Sequence, residues 1–226
     1  IDEIIIAPDD RRRKLPLDGL IDCRMSGIAI TDLLDFFERE TEKIRLDLIQ
    51  PSWLIYADGF KRNILRAIAK RTFDIGISSV MLLLCAPLMA MTALAILVES
   101  KGRGPIFYRQ SRVGRDGRCF NLYKFRSMRT DAEQDGVARW AQKNDNRVTR
   151  VGSFIRKYRL DELPQLWNIF VNDMSLVGPR PERPEFVEKL CRINALYKER
   201  HRVTPGLAGW ASVCYPYGSS KKDSMW

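Results

Sequence analysis

The chain has 226 residues, opens at Ile1 within an apolar run and carries 38 lysines and arginines against 28 acids, a formal charge of +10. That length allows one domain of ordinary size plus a fragment, and the charge calls for an anionic partner: a phosphate-rich substrate, an anionic lipid surface or nucleic acid. The five cysteines, Cys23, Cys85, Cys119, Cys191 and Cys214, are scattered and odd in number, and His201 stands alone between Arg200 and Arg202. This excludes a cysteine or histidine metal cage and a disulfide framework, fits a reduced cytosolic setting, and makes His201 basic surface rather than a general base.

Ile1 to Ala7 reads as a strand, Arg12 to Met25 as a helix with Leu15, Leu20, Ile21 and Met25 inward, Gly27 to Ile30 as a strand, and Thr31 to Glu40 as a helix. Strand, helix, strand, helix is the order of a doubly wound α/β domain, of which residues 1–57 would be the C-terminal remnant and linker. No glycine-rich phosphate fingerprint lies in it, so no nucleotide is assigned. Pro51-Ser52-Trp53 to Gly59 reads as the linker.

From Ile75 to Val98 no residue is charged. As a helix this run would reach about 36 Å, against a hydrocarbon core of about 30 Å. Yet Lys61, Arg62, Arg66, Lys70 and Arg71 precede it, and nine basic residues with one acid, Asp116, lie between Lys101 and Arg129. Basic flanks belong on the cytoplasmic face, and both cannot lie there if the helix spans. Pro87 removes the hydrogen bond to the carbonyl of Leu83, so a helix, kink, helix over 72–98 that breaks at Ala86-Pro87 and returns to the same face satisfies charge and backbone together. A plain spanning helix is the alternative.

Ile106-Phe107-Tyr108 and Cys119 to Met128 alternate around Gly114 and Asp116-Gly117, which predicts a β-hairpin with Lys124 and Arg126 on one face of its second strand. Asp131 to Gln142 reads as a polar helix or loop around Trp140. Leu160, Leu163, Trp167 and Phe170 then recur at helical spacing, which predicts a helix burying that face. Pro164 fits only its first turn, placing Asp161 of the Asp161-Glu162 pair at or near the N-cap. Such a helix start holds an ionised carboxylate and welcomes a phosphate beside it. Arg150, Arg156, Lys157 and Arg159 precede the pair, and Val177-Gly178-Pro179-Arg180-Pro181-Glu182-Arg183 follows, its prolines stiffening the backbone around Arg180. Pro184 to Arg200 reads as an amphipathic helix, ending before Pro205-Gly206. Ser219 to Trp226 is polar.

Asp161-Glu162-Leu163-Pro164-Gln165, Asp173-Met174-Ser175-Leu176-Val177-Gly178-Pro179-Arg180-Pro181 and Pro205-Gly206-Leu207-Ala208-Gly209-Trp210 occur in that order, after Tyr123-Lys124-Phe125-Arg126-Ser127-Met128. From about Lys70 to Val213 the chain resembles the bacterial sugar transferase family, monotopic phosphoglycosyl transferases that move a sugar 1-phosphate from a nucleoside diphosphate sugar to polyprenyl phosphate. The resemblance implies an α+β protein: a re-entrant membrane helix with a small, mainly helical cytosolic catalytic domain carrying a β-hairpin, over 58–226. Long exopolysaccharide-type members carry a Rossmann-like module ahead of it, and many relatives have Ser-Pro where this chain has Ala86-Pro87. The chain is then a fragment, incomplete at both termini.

By this resemblance Asp161 is the nucleophile, and Asp161 with Glu162 holds Mg2+, which binds through one or two carboxylates plus substrate phosphates. Lys124, Arg126, Arg156, Arg180 and Arg183 would bind phosphate and stabilise charge on the transferring group. The expected partners are a nucleoside diphosphate sugar (a UDP-sugar foremost), undecaprenyl phosphate and membrane lipid, at the bacterial inner membrane with the catalytic domain facing the cytoplasm. A homo-oligomer is compatible with the sequence. No recognisable nucleic-acid module is present, and nucleic acid is not expected. The competing classes are a membrane-tethered scaffold with a lipid-binding basic surface, for which Asp161-Glu162 is dispensable, and a nucleic-acid module, for which duplex binding would be salt-sensitive.

Overall fold

A computed structural model of the chain describes residues 1–7, 16–41, 63–132 and 146–209. The chain divides into two compact units, Ile1–Arg62 and Asn63–Trp226. The linker expected at Pro51 to Gly59, Trp140 with its neighbours, and Ser219 to Trp226 lie outside the described residues.

In the first unit, β1 (Glu3–Ile6) pairs in parallel with β2 (Ala29–Asp32), Glu3 opposite Ala29, with α1 (Leu17–Met25) crossing between them and α2 (Leu33–Thr41) following. Arg39 of α2 ties back to Glu3 of β1 at 2.7 Å. The inward face expected of the first helix is not what forms: Ile21 is 57% and Met25 84% exposed. The two described strands give α1 little sheet to cover, and among the described residues of this unit only Leu34 is buried.

The second unit is built on α3 (Ile64–Glu99), 36 residues or about 54 Å of helix. Asn63 caps its start by accepting the amides of Leu65 and Arg66. Its end is turned by Lys101 and Gly102 at positive φ, with the Gly102 amide returning to the Leu97 carbonyl. The break expected at Ala86-Pro87 is not a break in secondary structure, because the helix runs through Pro87. A proline removes a single intrahelical bond, and here both halves of the helix are held laterally by the same body.

That body consists of a hairpin, short helices and a small parallel sheet. β3 (Phe107–Val113) and β4 (Cys119–Phe125) pair antiparallel from Phe107 opposite Phe125 to Val113 opposite Cys119, as the alternation predicts. α4 (Arg150–Lys157) leads through a 3-10 turn (Leu160–Glu162) into α5 (Gln165–Phe170). β5 (Ser175–Val177) pairs in parallel with β6 (Gly206–Ala208) across α6 (Pro184–Ile193) and a 3-10 stretch (Ala195–Arg202). The long helix expected over Pro184 to Arg200 is thus divided at Asn194, whose extended backbone (φ −137°, ψ 110°) ends α6 while its side chain caps the next turn.

Two apolar clusters hold the unit together. Leu122, Leu166, Ile169 and Met174 form one with Leu82 packed against it, and Ile96, Phe125 and Ile155 form the other with Met89 and Ala93. Leu163 packs on both, which places the turn carrying Asp161 and Glu162 between them. The remaining faces of α3 stay bare: Leu83 is 77%, Met91 69% and Val98 70% exposed.

Candidate active site

The acidic pair does not cap a helix. Pro164 itself occupies the cap position of α5, and Asp161 lies three residues earlier in the separate 3-10 turn, entered through Arg159 in the left-handed region (φ 59°, ψ 20°). The reason is local: the proline ring suits the residue opening a helix, and Leu160 to Glu162 close their own i to i+3 bonds before it. The buried face also differs from the periodicity. Leu166 and Ile169 are buried together with Gln165 and Asn168, whereas Trp167 and Phe170 are 50% and 38% exposed and stack on each other at 5.5 Å.

Asn168 explains that rotation. It is fully buried, accepts the Tyr123 amide at 3.0 Å, and donates to the Asn121 carbonyl at 2.8 Å and to Asp173 at 3.1 Å. One amide side chain thereby pairs with the edge of β4 as a further strand would, and satisfied polar groups tolerate burial. It fixes β4 against α5 one residue from Lys124.

Glu162 gathers the cations. Its Oε1 accepts from Lys124 Nζ at 3.0 Å and lies 3.5 Å from Arg180 Nη2 and 3.6 Å from Arg159 Nη1, with its side chain 14% exposed. Three positive groups from β4, the loop after β5 and the residue before the turn thus converge on one carboxylate oxygen. Burial pushes the Glu162 carboxyl up, but Lys124, Arg180 and Arg159 together outweigh it and hold it below its ordinary range. Asp161 beside it is 7% exposed and has the opposite balance: burial dominates and raises it, Lys124 opposes, Glu162 adds to the rise, and Arg156 and Arg159 act against it from further off. The result is a desolvated carboxylate beside a carboxylate on which three cations converge, an arrangement suited to receive an anion and attack it.

The other expected phosphate ligands are placed as follows. Lys124 and Arg180 meet at Glu162, and Arg156 acts on Asp161 through its charge. Arg126 does not join Lys124 at Glu162: it follows the last residue of β4, and its Nη1 donates to the Arg103 carbonyl at 3.0 Å, bracing the segment after α3. Arg183 opens α6, 3.6 Å from Glu185 and with its guanidinium over the Phe186 ring. Among the described residues no group of three His, Cys, Asp or Glu is disposed to hold a metal by itself.

Sequence reasoning passed over the residues that fasten α3 to the site. Arg71 donates to the Ile169 and Phe170 carbonyls, Lys70 to the Val177 carbonyl, and buried Asp74 accepts the Leu176 amide at 3.1 Å. At the other end Glu99 accepts the Val151 amide and caps α4. The available signal was Asp74 with Ser78 four residues on, a polar pair on one face at the edge of an apolar run.

Residues 65–225 match the family described as bacterial sugar transferase. The chain is 40% identical over 202 residues to a UDP-N-acetylgalactosamine-undecaprenyl-phosphate N-acetylgalactosaminephosphotransferase of Aeromonas hydrophila, covering 89% of this chain and 46% of that protein. It is 36% identical over 207 residues to a UDP-glucose:undecaprenyl-phosphate glucose-1-phosphate transferase of Escherichia coli (strain K12), covering 91% and 43%. With an exopolysaccharide production protein of Rhizobium leguminosarum it shares 40% identity over 150 residues, 65% of this chain and 74% of that one. It therefore spans less than half the length of the first two relatives.

Proposed function

The chain belongs to the bacterial sugar transferase family, and from that premise we propose that it transfers a sugar 1-phosphate from a UDP-sugar to undecaprenyl phosphate, priming a surface glycan through a covalent bond to Asp161. The observation that carries this is the contrast within the acidic pair: Glu162 is neutralised by Lys124, Arg180 and Arg159, while Asp161 is desolvated, with Lys124, Arg156 and Arg159 only partly offsetting its burial.

An Asp161 carboxylate oxygen attacks the phosphorus bearing the sugar. The bond from that phosphorus to the bridging oxygen breaks, and its electron pair leaves on uridine monophosphate. An oxygen of undecaprenyl phosphate then attacks the same phosphorus, the bond to Asp161 breaks, and the carboxylate is restored. Lys124 and Arg180 lie where they offset the negative charge of both steps, and Arg180 presents a planar fork to phosphate oxygens. Magnesium fits the donor set only in part: Asp161 and Glu162 are oxygen ligands, but Glu162 Oε1 is engaged by three cations, so the ion would be held by Asp161, the second Glu162 oxygen and substrate phosphates. When bound it supplies further neutralisation of the diphosphate.

The lipid acceptor requires a membrane, and α3 is the one described helix long and apolar enough for one. One body holds it at Asp74 and again at its end through Glu99, which favours an anchor on the cytoplasmic face of the inner membrane over a crossing helix, and Pro87 is where such an anchor would bend to leave by the leaflet it entered. The parallel β1–β2 pair fits the end of a Rossmann-like module ahead of this domain.

The test is a burst without acceptor. Full-length protein with magnesium and UDP-glucose or UDP-N-acetylgalactosamine, lacking lipid, should release uridine monophosphate up to one equivalent, and the Asp161 peptide should gain the mass of a sugar phosphate. Asp161→Asn should lose both, and Glu162→Gln should slow turnover even where some adduct forms. A normal burst from Asp161→Asn would end the assignment of the nucleophile, and undiminished function without either acid would favour a scaffold.

A further inference from the structure

Four consecutive carbonyls along the loop that carries Arg180 are each held by a donor from elsewhere in the fold. The Pro179 carbonyl accepts the Gly206 amide at 2.9 Å, and the Glu182 carbonyl accepts the Val113 amide at 2.9 Å. Between them, the Arg180 carbonyl accepts from Arg200 Nη2 at 3.1 Å and the Pro181 carbonyl from Arg112 Nη1 at 2.9 Å. Pro179 and Pro181 have no amide hydrogen, so carbonyls are the only main-chain hydrogen-bonding groups they offer. The loop also leans on β6 so closely that a Cβ on Gly206 would lie 2.0 Å from the Gly178 nitrogen.

Both guanidinium groups are themselves fixed. Arg112, with its side chain 14% exposed, also donates through Nε and Nη2 to Gln110 Oε1 at 3.0 and 2.6 Å and lies 3.5 Å from Glu182. Arg200 donates through Nη1 to the Tyr197 hydroxyl, and its guanidinium lies 4.8 Å from the centroid of that ring. Burial raises the Tyr197 hydroxyl to about 12, so it stays a neutral phenol at working pH. Each arginine places one arm on the loop and the other on an anchor within its own element, a reach that the separate nitrogens of a planar fork provide and the single nitrogen of an ammonium does not.

We infer that Arg112 and Arg200 are positioning residues: they act on the transferred phosphate through the backbone of Arg180, setting where its side chain meets the substrate. The inference rests on Arg180 contacting the diphosphate as proposed above. Charge alone marks neither residue, because Arg112 lies in a hairpin strand and Arg200 in a basic run, and each is joined to the loop only by the fold.

A double-mutant cycle tests it in the full-length enzyme, with UDP-glucose and UDP-N-acetylgalactosamine as donors and undecaprenyl phosphate as acceptor. Arg112→Lys and Arg200→Lys should each lower kcat/KM for the donor on the order of tenfold, the loss of a hydrogen bond to a charged donor. In an Arg180→Ala background the same changes should cost less than about twofold, because residues that act only through Arg180 have nothing left to act on. Equal losses in both backgrounds would overturn the inference while leaving Arg180 in its role. Full activity of Arg180→Ala alone would sink both. Where a lysine variant fails to fold, Arg112→Gln and Arg200→Gln, which keep a neutral donor, run through the same cycle.

Discussion

Asp161 and Glu162 are neighbours in one turn, yet their surroundings push them in opposite directions, and the consequence is measurable as stability. The folded Asp161 carboxyl is raised above its ordinary value of 3.8, so above that pH the unfolded chain ionises more readily and the folded state is penalised, increasingly as pH rises through the folded value. Asp161→Asn should therefore raise the melting temperature at pH 7, and the gain should vanish below about pH 4, where both states hold the proton. Glu162 is lowered below 4.5, so its contribution is present above that value and is lost as pH falls through the folded one. Glu162→Gln should lower the melting temperature at pH 7 by removing the charge that Lys124, Arg180 and Arg159 share. Scanning calorimetry of the two variants at pH 7 and at about pH 3 checks both signs. Arg180→Lys tests the geometry beside them: the charge stays but the fork is lost, and turnover should fall on the order of tenfold.

Elements are joined at this site by polar side chains that stand in for missing backbone partners. Asn168 gives β4 the pairing of a further strand, and the three side-chain bonds it makes are each worth about 1 kcal/mol net, more where a buried partner is left unpaired. Asn168→Ala should thus cost about 2–4 kcal/mol in denaturant unfolding and reduce turnover by loosening Lys124 from Glu162. Asn168→Asp keeps the acceptor for the Tyr123 amide but loses both donors and faces Asp173, so it should be no milder. Between α3 and β5, Asp74 has a comparable duty, since it holds the Leu176 amide four residues ahead of Arg180. The helix and the loop that carries Arg180 are therefore mechanically continuous.

At the scale of the second unit, the decisive feature is a helix of 36 residues fastened near both ends to one body, with broad apolar faces uncovered between. Were the helix to span, the body that packs along it from Asp74 to Glu99, with its charged groups, would lie within the hydrocarbon, about 30 Å thick, where polar groups are costly. Single cysteines at Arg66 and Arg103, in a background lacking the native ones, should be labelled equally by an impermeant reagent in inside-out vesicles. Labelling at only one of the two would restore the crossing helix.

Composition and order alone determined much of this protein. The apolar run with basic flanks marked α3, alternation about Asp116-Gly117 marked the hairpin, and the order of Asp161-Glu162, Pro179-Arg180-Pro181 and Pro205-Gly206 marked the family, because these signals are local in the chain. What only the tertiary structure decided depends on partners distant in sequence. It turned Asn168 inward in place of Trp167, since the groups it satisfies lie 45 and 47 residues away. It sent Arg126 to the carbonyl of Arg103 and brought Lys124 to Glu162, although the two bases are two residues apart. It joined Arg112 and Arg200 to the loop of Arg180 across 69 and 20 residues. Periodicity ranks residues by apolarity and cannot register a buried polar group whose cost is cancelled by a partner elsewhere in the chain, and such groups are what position this site.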